Sequence, residues 1–191
     1  MKIINNITEK LSDDLHVEIS PHSKVSIAAA CFSVYAYEEL KEQLEQVDSL
    51  RFIFTSPTFL SEPSAKEKRE FYIPRQAREK TLHGSEFEIR LRNEFTQKTI
   101  SKECADWVRR KAQFKSNCTD ETMPGFLAVD SDHPVAYAPI NGFTRADLGC
   151  ERGGNMFSMI QQLDAPESKA YLQLFDQLWA DKRRMQDVTE Q

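Results

Sequence analysis

Histidine and cysteine are the side chains best suited to nucleophilic or metal chemistry at neutral pH, and this chain has four of each. His22 and His133 each stand beside a proline and His83 precedes a glycine, settings that place all three in loops. With His16 they form no His-x-x-x-His spacing, and the chain has neither a glycine-rich phosphate loop nor a Gly-x-Ser-x-Gly elbow. Cys31, Cys104, Cys118 and Cys150 include no Cys-x-x-Cys pair. Structural zinc sites bring their ligands in such pairs because a short loop positions two at once. A composite site of Cys118, His133 and Cys150 escapes that rule, but reduced and mostly buried thiols are the simpler expectation. A histidine nucleophile at His133 served by Lys115 needs an unfamiliar geometry. The Gly pair within Glu151 to Asn155 reads as a flexible turn, since no helix begins there to make an anion site. No metal or cofactor is implied.

Two groups of cations are suited to phosphate contact. Arg109, Arg110, Lys111 and Lys115 lie where a helix runs into a strand, and a plainer explanation is the preference of helix C-termini for cations. The stretch from Lys66 to Lys80, with Arg75 and Arg78, also carries Phe71 and Tyr72. Aromatics interleaved with arginine can stack on bases, although a solvated loop with a small apolar pin has the same composition.

These groups need a scaffold, and the apolar pattern supplies one. Lys24 to Val34 is nearly continuously apolar with β-branched residues, as in a strand covered on both faces. Tyr37, Leu40, Leu44 and Val47 then share one helical stripe, and Leu50 to Phe54 gives a second strand. Strand, helix, strand predicts a parallel pair with a crossover. Ser85-x-x-Glu88 is a capping box, and the stripe Ile100, Cys104, Trp107 and Val108 predicts a long helix from about Ser85 to about Ala112. Short β-like pieces follow at Gln113 to Cys118, Gly125 to Val129, Val135 to Tyr137 and Met156 to Leu163. Asp164-Ala165-Pro166-Glu167 is a helix start, and Tyr171, Leu174, Phe175 and Leu178 mark its buried stripe, extended by Trp179.

The totals fit one generous domain: 191 residues, 40% of them hydrophobic and 29% charged. A net charge of −5 excludes a protein whose whole surface binds nucleic acid, while leaving room for a local basic patch. No apolar run reaches the length of a membrane span and the first residues lack the apolar block of a signal peptide, so a cytoplasmic protein with no membrane partner is expected. On that expectation, Asn6-Ile7-Thr8 and Asn117-Cys118-Thr119 match glycosylation sequons by chance.

Two segments carry a family likeness. LRNEFTQKTISKECADWVRRKAQFKS (Leu91 to Ser116) resembles the long helix and following strand of phospholipase D-like domains found in front of bacterial Swi/Snf-type helicases. NGFTRADLGC (Asn141 to Cys150) resembles the Asn-Phe-Thr…Gly-Leu-Gly segment that closes their catalytic motif, and the tail FDQLWADKRRMQDVTEQ resembles the junction into the helicase portion. The resemblance covers roughly residues 20 to 191, leaving 1–20 as an N-terminal extension and 182–191 as a linker toward a helicase portion.

The family motif is His-x-Lys, four residues, Asp, six residues, Gly-Ser, then Asn. The His attacks phosphorus and forms a covalent intermediate, the Lys and Asn stabilise phosphoryl charge, and the Asp orients the imidazole. With Phe143-Thr144 as anchor, the His position holds Gly125, the Lys position Leu127, the Asp position Asp132, and Gly-Ser falls on Pro139-Ile140. Glycine and leucine can neither attack phosphorus nor neutralise a phosphoryl oxygen, and no His-x-Lys occurs anywhere in the chain. Asp132, Asn141 and Thr144 are what remains of the motif, and Asp132 in Asp-Ser-Asp-His-Pro also suits an ordinary turn.

The resemblance implies an α/β fold, a mixed, mostly parallel sheet with helices on both faces. It also implies a non-catalytic module that recognises DNA or protein or forms a homodimer, covalently linked to helicase domains. The competing expectations are a phosphodiesterase or restriction-type nuclease working through other residues, and an unrelated α/β interaction module.

Overall fold

The computed structural model describes residues 2–57, 94–151 and 157–190. The strands are β1 (Lys2–Ile4), β2 (Lys24–Ala29), β3 (Ser49–Phe54), β4 (Ala112–Asn117), β5 (Phe126–Asp130), β6 (Val135–Ala138), β7 (Ile160–Leu163) and β8 (Met185–Asp187). The helices are α1 (Leu11–Glu18), α2 (Val34–Glu39), α3 (Lys41–Gln46), α4 (Glu94–Lys111) and α5 (Glu167–Ala180). All the strands join one eight-stranded sheet in the order β1-β7-β6-β5-β2-β3-β4-β8.

The α/β class and the helices on both faces agree with expectation, but the predominance of parallel pairing does not. Only β2/β3 and β3/β4 are parallel among the described residues; the other five pairings are antiparallel. For the β5/β6 pair the reason is connection length. β5 and β6 are joined by the short turn after Asp130, and a turn that short reverses the chain, whereas parallel neighbours need a crossover. The β2–β3 pair does have its crossover, made of α2 and α3.

Alternation along the central strands divides the core. Val25, Ile27, Leu50, Phe52, Phe54, Leu127 and Val129 share one apolar cluster with Leu11, Leu15, Tyr37, Leu44 and Trp107 from α1 to α4. Ala28, Ile53 and Phe126 face the other way, against Phe175 of α5. Each large apolar side chain so buried contributes about 1.5–3 kcal/mol.

Several boundaries moved. The stripe Tyr37, Leu40, Leu44 and Val47 is fully buried as expected, yet the helix breaks at Leu40, whose φ of −107° and ψ of 16° separate α2 from α3. α4 ends at Lys111, and Ala112 already belongs to β4; the expected beginning around Ser85 and its capping box lie outside the described residues. α5 begins at Glu167 with no side-chain cap, so Asp164 is not the capping residue; its carbonyl accepts from Ser168 N instead (3.0 Å). The two chain ends join the sheet. β1 pairs with β7 and α1 packs Leu11 and Leu15 into the core, while β8 pairs with β4 and Val188 is buried. Both edge strands are only three residues long, which limits the unpaired edge offered to other chains. No helix among the described residues is long and apolar enough to cross a membrane.

Candidate functional site

Three parallel strands, β2, β3 and β4, end on the same side of the sheet, which in open α/β sheets is the side that takes ligands. β5 is antiparallel to β2, so its beginning, next to Gly125, arrives at that same edge together with the end of β6. The loop after β2 is fastened to the segment after β6. Ala30 N donates to Asn141 O (2.8 Å), Phe143 N to Cys31 O (2.8 Å) and Ser33 N to Phe143 O (2.9 Å). Phe32 and Phe143 stack below this zipper with centroids 5.7 Å apart.

The Gly125 position and the segment after β6 therefore meet, but the space between them is filled. Ile140 N donates to Gly125 O at 3.0 Å. A Cβ built on Gly125 would lie 2.0 Å from Ile140 O and 3.1 Å from Ala28 O, both backbone atoms that cannot swing aside. Glycine is required here by close backbone approach, and no histidine fits. Leu127 lies two residues along β5, 1% exposed within the apolar cluster shared with α1 to α4. An ammonium at that position would be buried without a partner.

Of the three residues aligned with the motif, Asn141 and Thr144 belong to this edge and Asp132 does not. Asp132 is exposed in the turn at the far end of β5, where Ser131 Oγ donates to His133 O (2.9 Å). Asn141 is exposed and lends its carbonyl to the zipper. Thr144 is buried; its Oγ1 donates to Asp147 Oδ2 (2.6 Å) and accepts from Asp147 N (3.2 Å). Burial pushes the Asp147 carboxyl above the usual carboxylate range, opposed by the Thr144 hydroxyl and by backbone N–H groups. A Cβ on Gly142 would come within 2.7 Å of both Asp147 Oδ2 and Cys31 Sγ, so this loop is packed too tightly for a side chain there.

Asn6, which sequence reasoning dismissed with its sequon, holds the same loop from behind. It is fully buried with φ 60°, donates to Asp147 O (2.7 Å) and Ser158 Oγ (3.3 Å), and accepts from Leu11 N (3.0 Å). Asparagine tolerates that backbone better than most residues, which was the available sequence signal. Asn117, of the other sequon, is 1% exposed and bonded to Thr55 O and Glu121 O (3.0 Å each).

The four cations of the helix–strand junction do not form one patch. Arg109 pairs with Asp106 (2.8 Å) and Arg110 with Glu45 (3.1 Å). Lys111 Nζ donates to Glu45 O (2.9 Å) and Val47 O (2.6 Å). Lys115 lies on the opposite face of the sheet, donating to Trp179 O (2.7 Å) with its Nζ 4.6 Å from the Trp179 ring centroid. Alternation explains the split, because Lys111 ends a helix on one face and Lys115 points through β4 to the other. Arg75 and Arg78, with Phe71, Tyr72 and His83, lie outside the described residues, as does the Gly pair after Glu151.

The other combinations are dispersed. His133 sits in the β5–β6 turn and Lys115 on β4, three strand spacings away, roughly 14 Å across the sheet. Cys118 donates to the carbonyls of Arg183 and Arg184, far along the chain from Cys150 beside Leu148. No group of three His, Cys, Asp or Glu side chains among the described residues is placed to hold a metal ion. None of the four cysteines is in a disulfide.

A cavity of about 400 Å³ opens beside this edge on the α5 face, lined by Pro124, Gly125, Phe126, Pro139, Tyr171 and Leu174. A smaller one of about 160 Å³ continues it past Pro124 and Leu174 toward Leu178 and Arg184. The larger is walled mostly by apolar side chains, whereas Asn117, Thr119, Glu121 and Arg184 help to line the smaller; Leu174, shared by both, is 40% exposed. The chain matches no known family model, and no curated protein matches it significantly.

Proposed function

We propose that this chain is a non-catalytic domain built on a phospholipase D-like plan, working in recognition or assembly. The observation that carries the proposal is Gly125, whose missing side chain is replaced by the Ile140 carbonyl. The hairpin supports the plan itself. The His position immediately precedes β5 and the Lys position lies on it, the following acid sits in the turn after it, and the Asn-Phe-Thr segment returns beside the His position. Chemistry of the family's kind would need an attacking group at position 125 and a cation at position 127, and this chain has glycine and leucine there.

Protein recognition or self-association is favoured over DNA. Lys111 and Lys115 are spent on backbone carbonyls on opposite faces, and Arg109 and Arg110 on carboxylates, so these four do not present a continuous phosphate track. Within the same proposal the partners are a second copy of the chain or a helicase portion joined to it.

Light scattering tests this reading, with the protein alone and with duplex DNA at low salt. The expected result is a mass that DNA leaves unchanged. A complex with DNA that disappears steeply as salt rises would instead assign phosphate binding to the domain.

A further inference from the structure

We draw no further inference here: the strongest candidate, the apolar cavity between α5 and the Pro124–Phe126 and Pro139 segments, is an open groove and nothing in the structure shows what covers it.

Discussion

At the scale of single residues, Gly125 decides the chemistry. The sequence already excluded a nucleophile there, since glycine has no group to attack with, and the same holds for Leu127 as a cation. What sequence could not show is that the Ile140 carbonyl occupies the position, because that depends on how two distant segments approach. Gly125→Ala is expected to destabilise by about 1–3 kcal/mol, since backbone must move to admit one methyl group; urea unfolding measures it. Placing histidine at 125 and lysine at 127 together is expected to destabilise the domain and leave phosphodiester hydrolysis at the buffer rate. Asn6 gives the complementary case. Its Nδ2 and Oδ1 tie the start of α1 to the loop at Asp147. Asn6→Ala is expected to cost about 2 kcal/mol or more through orphaned partners and the strained φ. Asn6→Gly relieves the backbone but not the lost bonds, so it should recover only part of that, as comparison of the two unfolding midpoints will show.

At the scale of elements, the central strands and the two longer helices were legible because their patterns are strong. Val25 to Ala29 and Leu50 to Phe54 are apolar apart from Ser26 and Arg51, and Tyr171, Leu174, Phe175 and Leu178 repeat at helical spacing, although only Phe175 of these is fully buried and Leu174 is 40% exposed. β1 and β8 were not legible, because three residues are too few to show alternation and each strand forms only where the neighbouring strand already stands. The break at Leu40 was hidden for another reason, since the stripe it belongs to continues through it. α4 is held by Trp107, fully buried, tilted against Tyr37 at 5.0 Å and donating through Nε1 to Leu44 O (2.9 Å). Trp107→Phe keeps most of the ring's volume and leaves that carbonyl unsatisfied, so a loss of about 1–3 kcal/mol is expected. Trp107→Ala should cost about 3–5 kcal/mol. Thermal or urea unfolding of both variants separates the hydrogen bond from the packing.

At the scale of the whole molecule, burial has set several protons firmly in place. The Cys104 thiol is pushed up from its ordinary 9.0 to about 12 by burial. The Tyr137 hydroxyl is raised by burial and then by its bond to Asp14 Oδ2 (2.7 Å), and the Tyr37 hydroxyl by burial and then by Glu45. Each folded-state value lies above the unfolded one, so the native state holds more protons in alkali. Their stabilisation is complete below the unfolded values and is lost as pH rises through the folded ones. Urea midpoints should therefore fall progressively above pH 9.0, and Cys104→Ala should flatten the part of that fall below about pH 12. The separation of the cations was beyond sequence reasoning for a reason of the same scale. Arg109, Arg110, Lys111 and Lys115 are neighbours along the chain, and only the placement of β4 between two helical layers sends Lys115 to the other side. The central claim, that the domain is built on a catalytic plan but performs no catalysis, is met most directly by assaying cleavage of a phosphodiester by the purified chain in the presence of a chelator. No turnover above buffer is expected. Metal-independent cleavage that His133→Ala abolishes would contradict it.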